Sequence, residues 1–120
     1  MVAFDVRLMS HKRNLATKAK VIFETVDLNE GLGYDASSGI FTAPSGGLYV
    51  FDWTILTWDK LYAYTSLVVN DQEKSWSLCR SSAAKLTIVR LKEGDKVWIK
   101  NFHGQGDIHA QYTSFSGFKL

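Results

Sequence analysis

Apolar and polar positions alternate most regularly over residues 48–57. Tyr49, Phe51, Trp53 and Ile55 fall on one side of a period-two pattern there. Four large side chains on one face require a core, since each aromatic of this size buries roughly 150–250 Å². The other face, Leu48, Val50, Asp52, Thr54 and Leu56, is too apolar for open solvent and too polar for a simple core. That mixture suits a subunit interface. Weaker alternation predicts further strands over residues 3–9, 39–42, 62–69, 73–78, 84–91, 96–101 and 110–120. Turn chemistry separates them: Gly31, Gly33, Ser37, Ser38 and Gly39, then Ala43-Pro44-Ser45-Gly46, then Asn70-Asp71 and Lys92-Glu93-Gly94-Asp95. Asn and Asp both tolerate positive φ, so Asn70-Asp71 predicts a hairpin. Trp58-Asp59-Lys60 and residues 103–109 read as loops. The polar, basic run 10–20, with His11, Lys12, Arg13, Lys18 and Lys20, reads as a solvated loop leading into a short strand at Val21-Ile22-Phe23.

Short strands at roughly 8–12-residue spacing imply an all-β sandwich or barrel. No helical stripe, internal repeat, linker or low-complexity tract is visible, and 120 residues suit a single domain spanning 1–120. Periodicity leaves immunoglobulin-like and jelly-roll sandwiches both open. In the last run, Phe115 and Phe118 are three apart and so point to opposite faces of a strand. One fills the core; the other, with Leu120 beyond it, needs cover from elsewhere.

A longer pattern narrows the choice. The spacing Phe23-x5-Asn29-x4-Tyr34-x6-Phe41-x5-Gly47-x-Tyr49-x-Phe51-x-Trp53 matches the signature of the C1q globular-head domain at every fixed position. Val2-Ala3-Phe4 resembles the family's opening strand, Leu91-x-x-Gly94-Asp95-x-Val97-Trp98 its late hairpin, and Ser116-Gly117-Phe118 its closing strand. The resemblance covers the chain from Val2 to Leu120. It implies the ten-stranded jelly roll shared with tumour necrosis factor ligands, assembled as a homotrimer. Val50, Thr54, Leu56, Phe118 and Leu120 are the expected trimer contacts.

Composition excludes several classes. The net charge of +2, spread along the chain without a nucleic-acid motif, gives no reason to expect nucleic acid. No apolar run approaches the roughly 20 residues needed to span a bilayer. The single cysteine, Cys79, reads as a small buried hydrophobe and offers no intrachain disulfide. Met1 sits directly against the first strand with no signal segment visible, and no Gly-X-Y stalk is present, so the chain reads as a stand-alone globular head.

No catalytic constellation stands out, and an enzyme is the least expected class. Asp107 and His109 lie two apart and, with His103, suggest a small zinc or calcium site. The resemblance implies calcium near a trimer apex through aspartates in the loop before the last strand. Here that loop, Gly104-Gln105-Gly106-Asp107-Ile108-His109-Ala110-Gln111, holds one aspartate where calcium wants six to eight oxygens. Three symmetry-related copies of Asp107 would be needed. Trp98 alternates with Val97 and Ile99. It either faces outward beside Lys96 and Lys100, as a platform for a sugar or apolar ligand, or packs under a neighbouring loop. The resemblance implies a secreted, extracellular recognition module of innate immunity that binds microbial surface glycans, lipopolysaccharide or other extracellular ligands. The alternatives are a trimeric signalling ligand of the tumour-necrosis-factor type and a calcium- or metal-handling matrix protein.

Overall fold

The computed structural model describes residues 1–58 and 61–120. In chain order the strands are β1 (Ala3–Arg7), β2 (Lys12–Leu15), β3 (Thr25–Glu30), β4 (Tyr34–Asp35), β5 (Ile40–Thr42) and β6 (Gly47–Leu56). They continue as β7 (Tyr62–Val69), β8 (Gln72–Arg80), β9 (Ser82–Leu91), β10 (Lys96–Asn101), β11 (Gly106–Ile108) and β12 (Ser114–Lys119). Ten strands follow one another in the order β3-β1-β12-β6-β9-β8-β7-β10-β5-β4, and β11 pairs with β2 as a separate ribbon. Every pairing is antiparallel. The β8–β9 link is a single bridge, Arg80 opposite Ser82. The order therefore divides there into two five-stranded sheets, β3-β1-β12-β6-β9 and β8-β7-β10-β5-β4, packed face to face as a jelly roll. Among the described residues there is no helix, and none long and apolar enough to cross a membrane.

The core forms where the two inner faces meet. Tyr49, Phe51, Trp53 and Ile55 are all fully buried, as the alternation in β6 requires. Phe4 stacks on Phe41 with ring centroids 4.8 Å apart and meets Phe115 edge-on at 4.9 Å. Polar ends of buried aromatics find partners: Trp53 Nε1 donates to Thr65 Oγ1 at 2.9 Å, and the Tyr34 hydroxyl donates to the Phe23 carbonyl at 2.7 Å. Asn29 closes the turn before β4, donating from Nδ2 to the Tyr34 carbonyl and accepting from the Tyr34 N–H. The residues of the gapped signature are thus core or turn residues, selected by the fold itself. Gly39 (φ +75°) ends a turn in which its N–H donates to the Asp35 carbonyl. Asp35 also accepts from Ser37 and Ser38, which holds its carboxyl below its ordinary value.

Several expectations change. The basic run is not all loop: β2 lies within it and pairs with β11, itself expected as loop. The partner is remote in sequence and neither segment alternates, so local pattern carries no sign of the ribbon. Residues 21–23 are not a strand. Val21 and Phe23 are buried, but the segment's ladder is one bridge, Lys20 to Lys100. β3 was hidden because Val26 and Leu28 sit among charged neighbours on an edge strand. Of the expected 58–60 loop, Asp59 and Lys60 lie outside the described residues. Asn70 and Asp71 both take positive φ, 48° and 68°, and close the β7–β8 hairpin.

Candidate recognition surfaces

The outward face of the first sheet is apolar along one row. Cross-strand register sets Ile88, Val50, Phe118 and Ala3 side by side on β9, β6, β12 and β1. Phe118 is 46% exposed and Ile88 59%, while Val50 is buried between them. Leu120 continues beyond Phe118, its N–H donating to the Leu48 carbonyl, and stays exposed. Thr54 and Leu56 lie further along the same face of β6, half-buried. Leu86, opposite Asp52, adds another exposed apolar side chain. Val50, Thr54, Leu56, Phe118 and Leu120 therefore share one face, and Phe115 points the other way into the core. Leu86 and Ile88 were not singled out from sequence, although their alternation with Thr87 and Val89 is the signal that finds them.

The Trp98 platform is not formed. Val97 and Ile99 do face the core, so the parity is right, yet Trp98 is itself buried. Segment 20–22 runs beside β10 and sets the Lys20 ammonium 5.1 Å from the centre of the indole. Lys100 is paired with Glu73 at 2.8 Å. Lys96 lies at the hairpin end, where its N–H donates to Asn70 Oδ1. A ligand reaching Trp98 would have to displace Lys20.

The metal trio does not assemble either. His103 packs edge-on against Tyr64 at 4.9 Å, whereas His109 packs against His11 at 4.3 Å. Asp107 Oδ1 accepts the Asn14 N–H at 3.0 Å. Among the described residues no three His, Cys, Asp or Glu side chains converge as a metal site would need. The β2–β11 ribbon separates the turn that carries His103 from the strand end that carries His109, and this ribbon was not foreseen.

Sequence reading also missed what the ribbon gathers. His11, Trp58 and His109 pack mutually, the Arg13 guanidinium stacks 3.8 Å over Trp58, and Tyr112 adjoins His109. The Ala110 N–H donates to His11 Nδ1 at 3.0 Å. The outer face of the second sheet exposes Tyr62, Trp76 and Leu78, with Arg80 against the Tyr62 ring. Cys79 is buried, as expected, and donates to the Ile55 carbonyl. Burial pushes its thiol up, which keeps it protonated and unreactive.

Comparison with known proteins agrees with this architecture. A family model described as the C1q domain matches residues 3–120. Human complement C1q tumor necrosis factor-related protein 3 is 25% identical over 128 residues, covering 99% of this chain and 51% of the relative. Mouse complement C1q tumor necrosis factor-related protein 2 is 35% identical over 108 residues, covering 82% of this chain and 36% of the relative. The chain thus spans about half or less of these relatives' length. The globular domain of zebrafish complement 1qA superposes with a TM-score of 0.82 at 22% identity, over 100% of this chain and 98% of that one. Eiger TNF from S. frugiperda superposes at 0.75 with 14% identity, over 99% and 92%. Matched over nearly its whole length, with the jelly roll and the signature residues in their structural places, the chain belongs to the C1q domain family.

Proposed function

We propose that this protein is a non-enzymatic, secreted recognition module of innate immunity. It assembles as a homotrimer and binds microbial surface molecules such as glycans or lipopolysaccharide. The observation that carries the reading is the exposed apolar row Ile88–Val50–Phe118 on one sheet face, continued by Leu120. A second copy of the chain covers such a row, and closed cyclic symmetry repeats the contact without leaving an uncovered end. An obligate interface of this kind typically buries roughly 2,000 Å² or more around an apolar centre. Family membership supports an extracellular, ligand-binding role. Sedimentation equilibrium at micromolar concentration should return three times the 13.5 kDa chain mass. An array of bacterial glycans and lipopolysaccharides should then retain the assembled protein. A monodisperse monomer, or an array without a single retained ligand, would count against the proposal.

A second reading is a trimeric signalling ligand of the tumour-necrosis-factor type. The superposition on Eiger TNF supports it. Saturable binding to receptor-bearing cells, with no retention on the microbial array, would favour it.

A further inference from the structure

Strand β8 reverses the usual pattern of a half-buried strand. Its inward positions hold the small residues Ser75, Ser77 and Cys79, all buried, while Trp76 and Leu78 point outward, 52% and 57% exposed. A solvated outer face is normally the polar one. β7 extends the same face. Tyr62 is exposed there and stacks on Tyr64, with ring centroids 6.3 Å apart. Phe102 and His103 meet Tyr64 edge-on at 5.8 and 4.9 Å and hold its ring in place. Exposed apolar patches of this kind mark interaction sites. This one lies on the opposite side of the sandwich from the Ile88–Val50–Phe118 row, so covering one does not require covering the other.

Cross-strand register sorts the face into four successive rows: Arg80 with Tyr62, Leu78 with Tyr64, Trp76 with Ser66, and Glu73 with Val68. The irregular step at Lys74 brings Glu73 to the outward side, where its carboxylate accepts from Trp76 Nε1 and pairs with Lys100. The Glu73 side chain keeps 28% of its surface open. At the other end the Arg80 guanidinium lies 5.8 Å from the centre of the Tyr62 ring and makes no ion pair among the described residues. Along β8 the rows therefore run cation, apolar, apolar, anion. That order is its own complement under a half-turn that exchanges the two ends. The first row then meets the fourth and the second meets the third. Arg80 meets Glu73, Leu78 meets Trp76, and the rings of Tyr62 and Tyr64 lie over Val68 and Ser66, whose own side chains are buried.

We propose that this face docks on the same face of a second copy of the chain, across a two-fold axis that crosses the strands at a right angle. An isologous contact needs this self-complementarity. A foreign acidic surface would oppose Glu73, and a basic one would oppose Arg80. Each chain carries one such face, so a trimer carries three, and the contact links trimers to one another. Few side chains take part. The contact therefore falls below the roughly 1,200 Å² of a stable complex and forms near about 100 µM rather than at micromolar concentration. On a surface that concentrates the protein, such linkage raises avidity without any new ligand contact. The inference goes beyond the recognition reading and does not depend on it.

The test is sedimentation equilibrium of the intact protein from about 10 µM to about 1 mM, a range that brackets a weak contact. The mean mass should climb from three chains past six, because each trimer has three faces to share. In Phe118→Glu, where the apolar row of the first sheet is spoiled, it should climb from one chain to two and stop. Arg80→Glu alone and Glu73→Arg alone set like charges together at both ends of the contact, and each should weaken association at least about tenfold. Mixed in equal amounts, these two variants should associate like the parent, since every contact between them joins opposite charges. Lys100→Gln, which breaks the internal pair of Glu73 without reversing its charge, should still associate. Trp76→Ala should not. A mass that stays at three chains throughout the range, or at one in Phe118→Glu, would overturn the inference, as would a mixture that associates no better than its parts. So would a parent that never passes three chains yet loses binding to receptor-bearing cells on Trp76→Ala, which would give the face to a foreign protein. A parent that runs from one chain to two, with the charge-reversal behaviour intact, would sink the trimer and uphold this contact.

Discussion

Phe51 lies against Phe4, Phe41, Tyr49 and Phe115, all buried. Truncating it removes transfer free energy and leaves a cavity those rings cannot fill. Phe51→Ala should therefore cost about 3–5 kcal/mol in a urea unfolding series; a loss under about 1 kcal/mol would contradict the packing described. Glu24 gives a pH test. Burial pushes its carboxyl up, but Lys12 and the Met9 N–H outweigh that and hold it below its ordinary value. A carboxylate whose folded value is depressed contributes stability that is complete above its unfolded value, roughly 4.3, and fades as pH falls through the folded value. Between about pH 5 and 3 the parent should lose melting temperature more steeply than Glu24→Gln; parallel profiles would exclude the contribution. Sequence read well at this scale where burial follows from alternation, as for Phe115 and Phe118. It left Trp98 open between a platform and a packed side chain, because the cover comes from Lys20, a residue remote in sequence.

The strands that sequence located best were those that alternate and end in strong turn chemistry. β7 and β10 begin and end where the pattern predicts, and β6 differs by one residue at each end. β2 and β11 were invisible because each is short and its ladder partner, the other, is remote in sequence. Without them the neighbourhood of His11, Trp58 and His109 had no reason to form, and nothing in the local pattern set His103 apart from His109. β12 carries an element-scale prediction. A Cβ on Gly117 would lie 2.7 Å from both Phe4 Cε1 and Phe51 Cδ1. These are ring atoms wedged in the core, with little room to retreat. Gly117→Ala should destabilise by about 1–3 kcal/mol through overpacking. Serine at the neighbouring position 116, whose side chain faces outward, should accept alanine with a change under about 0.5 kcal/mol.

For the whole molecule, the decisive question is what covers the row from Ile88 to Phe118. Phe118→Glu would set a charge directly beside Val50 at the centre of that row. The expected result is a monomer in light scattering, with a lower melting temperature than the parent assembly. An unaltered trimer would place the interface on another face. Fold class and family were legible because the signature residues are the residues of the core. The register also governs how the molecule comes into being. β1 lies between β3 and β12, with Ala3 opposite Phe118. During synthesis, the first strand made must wait for the last before either can complete its ladder. Long-range pairing of this kind slows folding and leaves edges open meanwhile. A nascent chain halted before Ser114 should remain protease-sensitive, and release of the final six-residue strand should bring protection to both ends together.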